Sequence, residues 1–327
     1  MNESEGSFAW QAFRLNWLPI VAMGTVLLVA IACTAFSLEP LAFGTTIAIG
    51  LSLALIAYGS ALAFADPKLI FWFGSTAQVI LVTAIVGPLS YVANALNCPL
   101  QDHTLLLIDR AVGLDPQLIA AFVNDHSWLV KYLNNGYGLI KWPLLGIPIA
   151  LTMVSRLIRL QQFVLALNIA LAVTIVISIF VPAVGTYYGL NLSPAERFPL
   201  LDSSNYVAQL RDIVALRNGS LRHLELFKLV GIVSFPSFHT ASAVLYCWAL
   251  WPVRGLRWVT IGLSTWMIAA TPVIGAHYVI DVVGGAVVAG GSIFLAVRLL
   301  QKLVSTSTSD AMESLTVEAA LQYQTHR

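Results

Sequence analysis

Roughly twenty apolar residues in a row recur eight times along this chain, close to what an α-helix needs to cross a hydrocarbon layer of about 30 Å. The stretches lie near 17–37, 42–64, 70–94, 139–156, 162–183, 238–253, 256–274 and 277–300. Asp281 apart, the few ionisable residues inside them keep to their ends. Within a bilayer every backbone polar group must be satisfied by the chain itself, which admits helices or a closed barrel. Barrel strands would show ten-residue segments of alternating polarity, and this chain has none. Composition agrees: 58% of residues are hydrophobic and 10% charged, against about 25% charged in soluble domains. The expected fold is all-α, a polytopic membrane helix bundle of about eight spans.

Basic loops set the expected orientation. Arg156 with Arg159, Arg254 with Arg257, and Arg298 with Lys302 all fall on one side of an eight-span chain. That side is read as cytoplasmic, with both termini on it. The acidic start, Met1 to Glu5, lacks the basic region of a signal peptide, so the first apolar stretch is expected to remain as an anchor. The polar, Ser/Thr-rich tail over 303–327 is expected to be mobile. A net charge of +1 argues against a nucleic-acid partner. Cys33, Cys98 and Cys247 show no paired spacing and read as small packing residues.

Two longer loops, 95–138 and 184–237, fall on the outer side. In the first, Leu105–Arg110 and Gln117–Val123 read as short interfacial helices. In the second, Tyr206–Arg217 reads as an amphipathic helix, with Ser203 or Ser204 to cap it and Gly219 to end it.

Two motifs carry chemistry. Ser234-Phe-Pro-Ser-Phe-His239 puts a histidine at the outer start of the sixth span, with Pro236 suited to a first helical turn. His277-Tyr-Val-Ile-Asp281 puts another at the outer start of the eighth, its aspartate one turn further on the same helix face. A carboxylate inside a membrane is costly unless partnered. A bond from His277 to Asp281 offsets that cost and fixes the imidazole tautomer, leaving the other ring nitrogen basic, as in a triad. His239 is then placed to act as an acid, and free amides at its helix start, near His239, Thr240 and Ala241, can receive a phosphoryl group beside the Ser237 hydroxyl. Gly275 and the Gly284-Gly285 pair permit close approach of neighbouring backbone.

Phe-Pro-Ser-Phe-His-Thr, followed about 40 residues on by Gly-x-His-Tyr-x-x-Asp-x-x-Gly-Gly, resembles the type 2 phosphatidic acid phosphatase superfamily. Within it the chain looks most like the inositol phosphorylceramide synthase and sphingomyelin synthase branch. The resemblance covers roughly 70–300 and implies a six-span catalytic core over 70–302, with residues 1–69 as a two-span extension. It implies that His277 attacks phosphorus to form a phosphohistidine, that Asp281 supports it, and that His239 protonates the leaving group. It implies no metal and no cofactor. The superfamily's usual first motif, Lys-x6-Arg-Pro, is missing, since Lys228 stands before Phe235-Pro236. Ala270 and Thr271 stand where a Ser-Arg pair usually precedes the third-motif histidine. The synthase branch is similar in lacking these cations, and a vanadate cofactor is not expected without them.

Arg217, Arg222 and Arg197 in the second outer loop, and Lys141, are the candidates to replace those cations. Expected partners are the bilayer and a phospholipid or polyprenyl-phosphate-type substrate, with an alcohol or water as acceptor. The expected location is a bacterial inner membrane with the site facing the periplasm; an organelle lumen fits the same topology. Two other classes compete. A bis-histidine haem protein would use His239 and His277 as axial ligands, and a transporter would want charges along several spans.

Overall fold

The computed structural model describes residues 3–63 and 66–325, with side chains placed for 5–63 and 66–302. Fifteen α-helices follow in order among the described residues. Near the N-terminus come α1 (Glu3–Leu15), α2 (Trp17–Cys33) and α3 (Pro40–Leu62), then α4 (Pro67–Asn94). The segment that follows holds α5 (Asp102–Ala111), α6 (Pro116–Asn124) and α7 (Ser127–Tyr137), which runs through a 3-10 turn, Gly138–Ile140, into α8 (Lys141–Met153). After α9 (Leu157–Phe180), a second connecting segment holds α10 (Thr186–Gly189), α11 (Pro194–Arg197) and α12 (Ser204–Arg217). The chain closes with α13 (Phe238–Leu250), α14 (Leu256–Ile274) and α15 (Val279–Thr325). The two-residue strands β1 (Ser37–Leu38) and β2 (His223–Leu224) are the strands among the described residues.

Several helix starts are written locally. Glu39, Asp66 and Asp115 each accept amides of the first turn ahead of Pro40, Pro67 and Pro116. Proline at that position loses no hydrogen bond, and the acidic side chain satisfies donors the helix leaves free. The short helices expected in the two long loops appear at α5, α6 and α12. Ser203 makes no capping bond to α12; Asp202 instead accepts from the Ser204 amide. Gly219, at φ +86, ends that helix in the left-handed region as its sequence suggests.

Among the described residues, five helical stretches are long and apolar enough to cross a membrane: Glu5–Cys33, Pro40–Leu62, Pro67–Asn94, Leu157–Phe180 and Val279–Lys302. The first starts earlier than its apolar stretch, because α1 and α2 run on almost continuously past Asn16. The other three expected spans coincide with α8, α13 and α14. At a rise of about 1.5 Å per residue, the 13-residue α13 is only about 20 Å long. The tail expected to be mobile, 303–327, lies outside the residues whose side chains are described.

Helices α4 and α9 form the centre, with more than half of their apolar windows buried. The N-terminal helices pack directly on them. Phe13 sits among Trp10, Tyr58 and Phe71, and Gln78 of α4 donates to the Phe13 carbonyl. Asn16, Gln161 and Ser75 form a buried hydrogen-bonded chain between α1, α9 and α4. Away from this centre, β1 pairs in parallel with β2, Ser37 opposite His223 and Leu38 opposite Leu224. This pairing joins the loop after α2 to the segment leading into Ser234.

Candidate active site

The turn between α14 and α15 carries His277. Ala276 before it lies in the left-handed region, at φ 52, a conformation costing a non-glycine residue about 1–3 kcal/mol. The surroundings hold it there. The Thr186 amide donates to the Ala276 carbonyl at 2.8 Å, and at Gly185 a Cβ would lie 2.5 Å from that same oxygen.

One carboxylate oxygen organises the site. Asp281 Oδ2 accepts from Ser234 Oγ at 2.8 Å, the Tyr278 amide at 3.1 Å and His277 Nδ1 at 3.2 Å. Asp281 is fully buried and His277 5% exposed, so this bond is shielded from water. A carboxylate acceptor places the imidazole proton on Nδ1 and leaves Nε2 with a free lone pair. Asp281 Oδ1 is buried with no partner among the described residues.

His239 arrives from the other motif. Its ring centroid lies 6.2 Å from that of His277, with the planes at 61°. Gly285 explains how the two helices come so close. A Cβ there would lie 2.2 Å from the Ser237 carbonyl oxygen, and at Gly284 one would meet the Phe235 ring at 3.0 Å. The Ser237 amide donates to the Asp281 carbonyl at 3.0 Å, a backbone tie between the motifs.

The phosphate-binding candidates divide. Ser237 is buried and caps α13: its Oγ accepts from the Thr240 amide and hydroxyl. The Ala241 amide donates to the Ser237 carbonyl. The amides of α13 without a partner among the described residues are therefore those of Phe238 and His239, earlier than the Thr240 and Ala241 amides the sequence suggested. Arg222 donates to the Leu216 and Leu221 carbonyls and stacks over Phe36, which fastens its loop to the N-terminal segment. Arg217 donates through Nη2 to the Cys98 carbonyl, while its Nη1 is buried without a described partner. Arg197 and Lys141 are exposed. None of these cations joins either imidazole among the described hydrogen bonds and ring contacts.

Four supporting residues were not singled out from sequence. Tyr137, at the end of α7, stacks on His239 with centroids 4.0 Å apart and planes at 14°. Gly275 leaves room for it, since a Cβ there would sit 2.6 Å from Tyr137 Cε2. Asp102 and Asp109 both come from α5 and are 3% and 1% exposed. Asp109 accepts the Val279 and Ile280 amides at 2.7 and 2.9 Å, capping α15 from outside its own sequence. Asp102 accepts the Val184 and Gly185 amides and the hydroxyl of Tyr278, the fourth of these residues. Burial pushes both α5 carboxyls up from the usual range, and the donated amides pull them back. Their spacing, i and i+7, places them on one helix face. That was the available signal: two acids on the buried side of an otherwise apolar stripe.

A family model described as the PAP2 superfamily matches residues 103–295, which include Asp109, Tyr137 and both histidine motifs. No curated protein and no solved structure matches the chain.

Proposed function

The chain belongs to the PAP2 superfamily, whose members are generally phosphatases or phosphotransferases, and from that premise we propose a phosphohistidine mechanism on a membrane lipid. A lipid phosphodiester or phosphomonoester enters sideways from the bilayer. His277 Nε2 forms a bond to phosphorus while the P–O bond to the leaving group breaks. His239, carrying a proton, delivers it to that departing oxygen. His277 keeps its Nδ1 proton against Asp281, which offsets the positive charge that develops on the ring. In the second half an alcohol or water attacks phosphorus, gives its proton to His239, and the P–N bond breaks. An alcohol makes the protein a synthase and water makes it a lipid phosphatase.

The observation carrying this reading is the buried Asp281–His277 hydrogen bond with a second imidazole 6.2 Å from the first. The same spacing alone would suit two haem ligands, but family membership and the one-sided support of His277 favour phosphoryl transfer. Ala270 and Thr271, where the superfamily usually has Ser-Arg, favour the synthase-like, inositolphosphotransferase type, whose phosphodiester donor brings less negative charge. The unpartnered amides of Phe238 and His239, with Arg217, are the candidates for the phosphoryl oxygens. The basic loops favour a site on the extracytoplasmic side, facing the periplasm of a bacterial inner membrane or an organelle lumen.

The test is to incubate purified protein with phospholipid mono- and diesters labelled at phosphorus, with and without alcohol acceptors. Labelled phosphate from a monoester, or a labelled phospho-headgroup from a diester, marks hydrolysis, and a new labelled lipid marks a synthase. Acid-labile label should appear on the protein in single turnover and vanish in His277→Ala. Normal rates in that variant would end the proposal.

A further inference from the structure

We infer that the end of the bundle opposite the histidines holds a second lipid site, a seat for an anionic phospholipid of that leaflet. Two cavities meet there. One, of about 400 Å³, is lined by Arg156, Arg159, Gln162, Trp251 and the α9 start, with Glu5 as its one acid among the described lining residues. The other, of about 510 Å³, shares Arg159 and Trp251 and continues between Val244, Trp248, Ile268 and Ile293. A chamber of mixed polarity with a net positive lining thus adjoins, across Arg159 and Trp251, an apolar groove on the flank of α13, α14 and α15.

The cations there have donors to spare. The Arg159 guanidinium lies 3.6 Å over the Trp248 ring and bonds the Trp248 carbonyl through Nη2, yet its Nε is buried with no described partner. Arg257 lines neither cavity; it stacks over Trp251 from outside and so holds that ring at the chamber wall. Arg156 is exposed at the start of the 24-residue α9 and makes no capping bond, so the helix presents free amides and its positive end to the same chamber. A headgroup phosphate would meet the exposed Arg156 guanidinium and the free first-turn amides of α9, and the adjoining groove accepts the upper part of an acyl chain. That groove is what favours a lipid over free phosphate. The site is separate from the reaction: Trp248 lies more than two turns beyond His239 on α13, about 14 Å along the axis.

Tryptophan quenching tests this in full-length protein reconstituted into phosphatidylcholine nanodiscs. Dibrominated phosphatidylglycerol should quench more than dibrominated phosphatidylcholine at equal mole fraction, and Trp251→Phe should remove much of the excess. Arg156→Gln, which breaks no described side-chain bond, should weaken the preference about fivefold. Arg254→Gln, an exposed arginine at the same end outside both cavities, should leave it intact. Inorganic phosphate should not displace the effect. Equal quenching by the two lipids, equal losses in Arg156→Gln and Arg254→Gln, or displacement by free phosphate would each overturn the assignment. The outcome does not depend on the chemistry at His277, so either proposal can fail alone.

Discussion

Replacing Asp281 by asparagine separates two jobs of its carboxylate: orienting His277 and supplying negative charge. Three donors converge on Oδ2, from Ser234, Tyr278 and His277. An amide must turn its oxygen toward them, because its NH2 group would face three donors. The NH2 then occupies the place of Oδ1, which has no described partner. His277 Nδ1 therefore keeps an acceptor, and the tautomer survives. What disappears is the charge beside the imidazolium. Hydrogen bonds to charged groups are worth about 1.5–3 kcal/mol against about 0.5–1.5 for neutral ones, and the Coulomb attraction lost at about 3 Å adds to the difference. A loss of about 2–4 kcal/mol in the transition state corresponds to roughly 30- to 1,000-fold in kcat. A triad whose tautomer inverts loses about 10⁴-fold. The assay pairs kcat on a labelled lipid with ¹⁵N-histidine spectra that report which ring nitrogen is protonated. Ser234→Ala in the asparagine background removes one of the orienting donors and should cost further activity. A proton found on Nε2 of His277 in Asp281→Asn, or a rate within a few-fold of the parent, would refute the reasoning.

Three further outcomes are expected. His239→Ala should nearly abolish turnover of a lipid with an alkoxide leaving group, yet keep much of its rate on a nitrophenyl phosphodiester, whose leaving group needs no proton; equal losses on both would remove His239 from the acid role. Asp109→Ala should destabilise the protein by about 2–4 kcal/mol, since it uncaps α15 and strands two amides, while Asp109→Asn restores part of that; thermal unfolding in detergent measures both. Gly285→Ala should lower activity far more than Gly290→Ala on the same helix, because a Cβ at 285 would lie 2.2 Å from the Ser237 carbonyl whereas nothing lies within 4 Å at 290.

The apolar stretches made the bundle legible, since backbone in lipid has few alternatives to the helix. The Glu39-Pro40, Asp66-Pro67 and Asp115-Pro116 starts went unread, since the apolar pattern begins a few residues later, although cap and helix are neighbours in sequence. The His277–Asp281 pair was visible, being one helical turn apart. Most else that escaped was non-local. Nothing near Val279 announces that Asp109 caps it, and nothing near His239 announces Tyr137. The arginines show the limit most directly. Sequence displays their charge but not what each is bonded to, and Arg222 proves to be held by two carbonyls and the Phe36 ring. The early start of the first membrane helix escaped because Glu3 to Gln11 is too polar to read as apolar, although Ala9, Ala12 and Phe13 face the core.

The tiny pairing of Ser37–Leu38 with His223–Leu224 changes what the first 69 residues are. A detachable anchor would leave the rest of the molecule intact when cut away. Here its first connecting loop is stitched to the stretch of chain that leads to the serine bonded to Asp281, so excision would slacken the end that carries the two histidines from a distance.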